Sequence, residues 1–465
     1  GDLVRSGDVM LDKLLIASLL VGYVSAGADT MGTEFRVVFP RNFELSSTNC
    51  NLSITVVNPN NAEVKVSLNY YKDLYDYSSM QYEMLSVPAG GLLTQYFPSF
   101  DAWEYMNGGF QEQFDTRIVV TTSQAVTLYA NNYQKDGFGD TFVVLPYTLA
   151  GDSYSFTLPA PSPLQNGVIQ YAIAYIIPTR KDVNVEVTVG EWKEKRTIPF
   201  KMGSDLHYFA VPSIRDQPDP SFYITGDADF LVVAAVSCLP LSDGKCDYAA
   251  FMPSHVIGPG KCVYGDTVTD NHPTDLTTSR KFSVTPNIKS SDCTHNVVNF
   301  FNGNMSDEQF MYGEIYTAPQ LFGDRFILQS NAMPTNPIRI GGLPGAGGAF
   351  LTGLPSTTQF VAGTTYFLTR TEKVTLYIIT DAIASLTMRL DGAVVQFSPE
   401  ILKIDGVQYH FTTTGVTSGS GLNVHKLDAS PGKYIFYVVG SQRDGHAYGY
   451  YPAFNRLTVA PSADH

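Results

Sequence analysis

Charge is what this chain has least of. Asp, Glu, Lys and Arg make up 16% of its 465 residues, against roughly 25% in an average soluble domain. The balance is acidic, with a formal net charge of −14 and no run of Lys or Arg. A nucleic-acid or anionic-membrane partner needs a basic face, so neither is expected. Long hydrophobic runs are also missing. Leu14 to Val24 is about 11 residues, short of the roughly 20 that a membrane-spanning helix needs, so no membrane span is expected. Helix signals are almost absent. The best start is Ser306 with Gln309 three residues on, and it opens a short segment that Gly313 soon ends.

The chain also lacks the usual signatures of catalysis. It has no G-x-S-x-G elbow, no H-E-x-x-H, no C-x-x-C, no phosphate-binding loop with a following lysine and no EF-hand run. The eight histidines stand singly, and a lone histidine is far more often surface or satisfied core than a metal ligand. Gly341 to Gly348 is the richest glycine loop, and without a lysine and helix it reads as a connection. These absences point to a non-enzymatic protein with no catalytic residues, no metal and no cofactor. A pair of catalytic carboxylates stays open, because its separation is set by the fold.

What is present is strand-forming sequence. Tyr and Phe number 28 each, and residues with this preference suit pleated, half-buried faces. Leu52, Ile54 and Val56 alternate with polar residues, then Asn58–Asn61 turns, then Val64, Val66 and Leu68 alternate again, which reads as a half-buried hairpin. Val183 to Val189 repeats that grammar. Leu386, Met388 and Leu390 lead into Asp391-Gly392, and Ile401 to Ile404 lead through Asp405-Gly406 into Val407 to Phe411. A glycine-led opening recurs at Gly32, Gly151, Gly260 and Gly363, at intervals of 119, 109 and 103 residues. The expectation is an all-β protein of four consecutive β-sandwich-like modules with minimal helix, spanning 32–150, 151–259, 260–362 and 363–460.

Residues 1–26 read as an N-terminal extension followed by a secretory signal peptide, with Met10 starting the leader and Val24-Ser25-Ala26 ending it. Secretion then gives the five cysteines an oxidising setting. Phe230 to Val236 is a continuous apolar strand, and Cys238 and Cys246 flank the Ser-Asp-Gly turn that follows it. They are the first expected disulfide. A strict two-residue turn at Asp243-Gly244 would place Cys246 opposite Leu241, so the bond should close a wider loop. Cys262 with Cys293 is the second pairing, which leaves Cys50 free or bonded to another chain. Asn51 and Asn304 head glycosylation sequons. The candidate binding patch is the tyrosine-rich stretch carrying Tyr70, Tyr71, Tyr75, Tyr77 and Tyr82, where alternation breaks down and charges and serines intrude. Against this stands the plainer reading that tyrosine simply suits strand faces.

Val232 to Val263, VVAAVSCLPLSDGKCDYAAFMPSHVIGPGKCV, resembles the IgGFc-binding protein N-terminal domain family. The likeness rests on a valine-rich strand, two nearby cysteines (Cys238, Cys246), Asp247, Pro253 and Gly258 or Gly260. TRIVVTTSQAVTLYANN, the passage Gly139 to Pro161, Leu390 to Gly392 and Ala447 to Pro452 extend it over roughly Gly32 to Val459. The aromatic that this family often places before the third module's glycine is missing. The chain also has none of the von Willebrand type D domains that follow in the mucus protein, so gel-forming roles do not carry over. The resemblance implies a secreted binding or adhesion protein that contacts an extracellular protein or glycan at a mucosal or matrix surface. A carbohydrate-binding lectin and a secreted hydrolase are the alternatives.

Overall fold

The structure is a computed structural model that describes residues 28–456, except 43–49, 74, 99–107, 135–137, 164–167, 215–217, 242–244, 257–269, 278–280, 287–297, 302–304, 309–314, 318–323, 331–334, 343–347, 372, 398–399, 405, 420 and 442–446. Strand accounts for 66% and helix for 4%, so the chain is all-β. Period-two side-chain alternation builds the sheets. In Val183–Val189 the four valines are buried while Asn184 is exposed, so one face supplies core and the other meets solvent.

The strands repeat one wiring four times. In the first copy, Ile118–Gln134 is 17 residues long, about three times a usual strand, and it serves two sheets. Its first half pairs with Gly32–Val37 and with Val64–Tyr71, which Met80–Val87 edges. Its second half pairs with Gly139–Val144 and with Cys50–Val57, which Leu92–Phe97 edges. In the second copy Ser221–Pro240 takes this role. Gly151–Thr157 and the Val183–Val189/Trp192–Ile198 hairpin lie on its first half, and Cys246–Phe251 and Tyr171–Pro178 lie on its second. The third copy splits the long strand into Arg325–Ser330 and Thr335–Gly342, which keep the same partners in Asp270–Asp275, Val298–Phe301, Lys281–Pro286 and Ala349–Gly353. In the fourth, Asn423–Ser441 joins Val361–Thr369 and Arg389–Leu390 to Lys373–Asp381 and Ala447–Tyr450. All pairings are antiparallel, and each copy is a β-sandwich.

Gly32, Gly151 and Gly363 each lie in the first strand of a copy, while Gly260 lies outside the described residues. One strand crosses the division near 150. Gly109–Gln113 precedes the first copy's long strand, yet it pairs with Leu206–Pro212 on the edge of the second copy. Three local expectations are corrected. Cys50–Val57 and Val64–Tyr71 form no hairpin, because they enter opposite sheets of the first sandwich. Met305–Glu308 is a strand paired with Val298–Phe301, so the capping signal at Ser306 loses to sheet pairing. Ala384–Thr387 is a single helical turn that leaves Leu386 exposed.

The four copies close into a ring. The last strands of successive copies pack side by side, one to two, two to three, three to four and four back to one. Two fully buried carboxylates clasp them. Asp247 accepts N–H bonds from Gly139 of the first copy and Ala349 of the third, at 3.2 and 3.1 Å. Asp140 accepts from Ala250 of the second copy at 3.2 Å and is also bonded by the Gly449 amide of the fourth. Each copy's first strand leans on the next copy's second strand. Arg36 donates to the carbonyl of Pro178 at 3.0 Å and Ser283 donates to that of Thr157 at 3.1 Å; where the circle closes, Arg370, just after Val361–Thr369, also lies 4.0 Å over the ring of Tyr133 in the long strand Ile118–Gln134. One apolar cluster runs through all four copies.

Candidate functional site

Among the hollows of the described residues, two lie where copies meet, and they differ in kind. The first, in the ring's centre, is lined by Phe142, Met252, Leu354, Tyr450 and Phe454 among others and holds about 60 Å³. That is room for a water or two, well below the roughly 300 Å³ of a small-molecule site. The second is an open groove of about 390 Å³ between the first and second copies, lined by Tyr75, Tyr77, Glu112, Gln113, Phe114, Asp205 and Tyr208.

The groove exists because Gly109–Gln113 leaves its own copy. Paired to Leu206–Pro212, it sets Glu112 opposite His207 and carries Phe114 toward the tyrosine-rich loop of the first copy. Phe114 is the hub of the aromatic wall. Tyr77 stacks on it at 4.4 Å and 27°, Tyr71 meets it edge-on at 5.4 Å and Tyr75 tilts against it at 5.8 Å. The loop is held by Asp76, whose carboxylate accepts the Ser78 N–H at 2.8 Å and caps the turn Tyr77–Ser79. Tyr75 sits at φ +60°, a left-handed conformation that costs a non-glycine residue about 1–3 kcal/mol and collects at ligand-contacting positions.

Behind the wall a buried ion pair fixes the two copies. Arg117, 1% exposed, lies 2.7 Å from Asp115 and donates to the carbonyls of Pro199, Lys201 and Ser204 in the second copy. Acceptors line the groove's other side. Tyr77 donates to Asp205 at 3.1 Å, and Glu112 pairs with Arg196 at 3.3 Å. Partial burial, then the Asp205 charge, pushes the Tyr77 phenol up to about 12, so it stays a donor at neutral pH. Burial pushes Tyr208 up to about 12 as well. His207 is held below its ordinary range by burial, against the opposing pull of Glu112. Rigid rings beside carboxylate acceptors can stack on the C–H face of a sugar and accept its hydroxyls.

The tyrosine cluster divides. Tyr75 and Tyr77 are exposed and line the groove, and Tyr71 is buried beneath them. Tyr70 is buried core, edge-on to Phe97 at 4.9 Å with its hydroxyl donating to Glu83. Tyr82 is exposed on the edge strand Met80–Val87, outside the groove. Cys238 and Cys246 form a disulfide with Cα atoms 5.1 Å apart, Cys238 lying within the register shift between Val236 and Leu239. Asn51 is exposed. Cys262, Cys293 and Asn304 lie outside the described residues, as does the side chain of Cys50.

Sequence reasoning missed Glu112, Phe114, Asp205 and Tyr208, which come in pairs from two segments far apart in the chain that only strand pairing brings together. It also missed a hydrogen-bonded chain in the fourth copy. Ser418 Oγ is 3.0 Å from His425 Nε2, and His425 Nδ1 is 2.7 Å from Asp391 Oδ2. Among known proteins, the chain matches no family and no curated sequence. A solved structure of the arabinofuranosyltransferase AftD from Mycobacteria aligns with 93% of this chain and 34% of its own, at 9% identity and a TM-score of 0.13. The chain thus spans about a third of that structure's length, and a likeness of this strength carries no argument.

Proposed function

We propose that the chain is an extracellular binding protein, of the adhesion type implied by the resemblance to IgGFc-binding N-terminal domains, whose ligand is a glycan held in the groove between the first two copies. The observation that carries the reading is the aromatic wall of exposed Tyr75 and Tyr77, packed on buried Phe114 and facing the Asp205 and Glu112 carboxylates. The Cys238–Cys246 disulfide and the exposed Asn51 that heads a sequon support an extracellular setting. A ring stacked on a sugar and a carboxylate accepting two hydroxyls give orientation without catalysis.

The test is a glycan array on the intact protein, followed by titration of the best sugar. Tyr77→Ala and Asp205→Asn should each weaken binding at least tenfold, the scale of a lost central contact. Tyr82→Ala should leave it unchanged, because that ring lies outside the groove. Binding to no glycan, together with capture of a protein that Tyr77→Ala does not disturb, would overturn the proposal.

A further inference from the structure

The fourth copy brings three residues into one hydrogen-bonded line. Asp391 and Gly392 both have positive φ, +51° and +87°, and turn the chain between Arg389–Leu390 and Ala393–Val394. The turn is pinned to the long strand. Asp391 N–H donates to Lys426 O at 2.8 Å, and Asp391 Oδ1 accepts the Lys426 N–H at 2.8 Å. This leaves Oδ2 aimed at His425 Nδ1, 2.7 Å away. A carboxylate only accepts, so Nδ1 carries the proton and Nε2 presents its lone pair. Ser418, the first residue after the strand Val407–Thr417, then donates its hydroxyl to Nε2 across 3.0 Å. With that proton committed, the Thr369 hydroxyl at 2.7 Å is the donor to Ser418 Oγ. Phe367 stacks on the His425 ring at 5.5 Å and 29° and fixes its plane.

We infer that Ser418 is the nucleophile of an ester-hydrolysing site, with His425 as general base and Asp391 as the group that sets its tautomer. The geometry meets the requirement for an activated serine, which is a base within hydrogen-bond reach and a third group orienting that base. His425 Nε2 takes the hydroxyl proton as Oγ bonds to the carbonyl carbon. The tetrahedral adduct collapses, the C–O bond to the alcohol breaks, and His425 returns the proton to the leaving alkoxide. Water then attacks the acyl-Ser418 ester, giving its proton to His425. The carboxylic acid departs as Oγ recovers that proton, so the net change is ester plus water to acid plus alcohol.

The surroundings limit the substrate. Ser418 is 8% exposed and is followed by exposed Gly419, which adds no side chain beside it. A serine so little exposed restricts the substrate to an ester with a short acyl chain. The Asp391 side chain is 48% exposed, so water competes for the orienting carboxylate and turnover should be slow.

The intact protein should be treated with a fluorophosphonate, which reacts with activated serines, and mapped by peptide mass spectrometry. The expected result is a phosphonate on Ser418, its rate falling about 100-fold or more in His425→Gln, the scale of a lost general base. A burst of p-nitrophenol from p-nitrophenyl acetate should vanish in Ser418→Ala. Folding of the variants is checked by circular dichroism, and the wild-type labelling stands without them. No label on Ser418 in the folded wild-type protein, or equal labelling in a folded His425→Gln variant, would overturn the inference.

Discussion

Removing the Asp247 carboxylate should loosen the ring at its centre. Asp247 is fully buried and takes at least three backbone N–H bonds, from its neighbour Tyr248 at 2.8 Å, Gly139 at 3.2 Å and Ala349 at 3.1 Å. Asp247→Ala leaves these donors without that acceptor. Each stranded buried donor costs about 1–3 kcal/mol, and part is recovered because a carboxyl is no longer desolvated. A net loss of about 3–5 kcal/mol follows, a large fraction of the 5–15 kcal/mol typical of a folded domain. Asp247→Asn keeps the size but puts a donor where one oxygen stood, so it should recover only part of the loss. Two of the donors belong to other copies, so the effect should appear as uncoupling. In urea titration followed by near-UV circular dichroism, the wild type should lose tertiary signal in fewer, later steps than Asp247→Ala. A loss under about 1 kcal/mol with unchanged cooperativity would refute the reasoning.

Three further outcomes follow. The Cys238→Ser, Cys246→Ser double variant should stay folded and β-rich while losing about 2–3 kcal/mol, as expected for a short closed loop, with new protease cleavage confined to the segment between Leu239 and Lys245. Arg117→Met should cost about 3–5 kcal/mol in chemical denaturation, because it strands the buried Asp115 carboxylate and frees the Pro199–Ser204 loop. Burial lowers His207 and His255, and burial raises Asp140. The histidines therefore give stability that is present above about pH 6.5 and lost as pH falls toward their folded values. Asp140 acts in the opposite sense, its contribution being present below about pH 4 and lost as pH rises through its raised value. His207→Gln with His255→Gln should remove the loss of stability that equilibrium denaturation is expected to record as pH falls below about 6.5.

Fold class was legible in the sequence because side-chain alternation has period two and needs only neighbouring residues. Val183 to Val189 announces its buried face without help from the rest of the chain, and Cys238 and Cys246 are close enough that a strand and a turn suffice to join them. Local pattern misled where a distant partner decided the outcome. Met305–Glu308 became a strand because Val298–Phe301 was there to pair with it, and Cys50–Val57 left its apparent hairpin for the second half of Ile118–Gln134. The groove, the clasp and the serine line are tertiary throughout. Tyr77 meets Asp205 across 128 positions, Asp140 meets Ala250 across 110, and Asp391 meets His425 across 34. No spacing encodes these meetings. They arise because four copies of one sandwich close on their last strands, and that closure fixes which loops face each other.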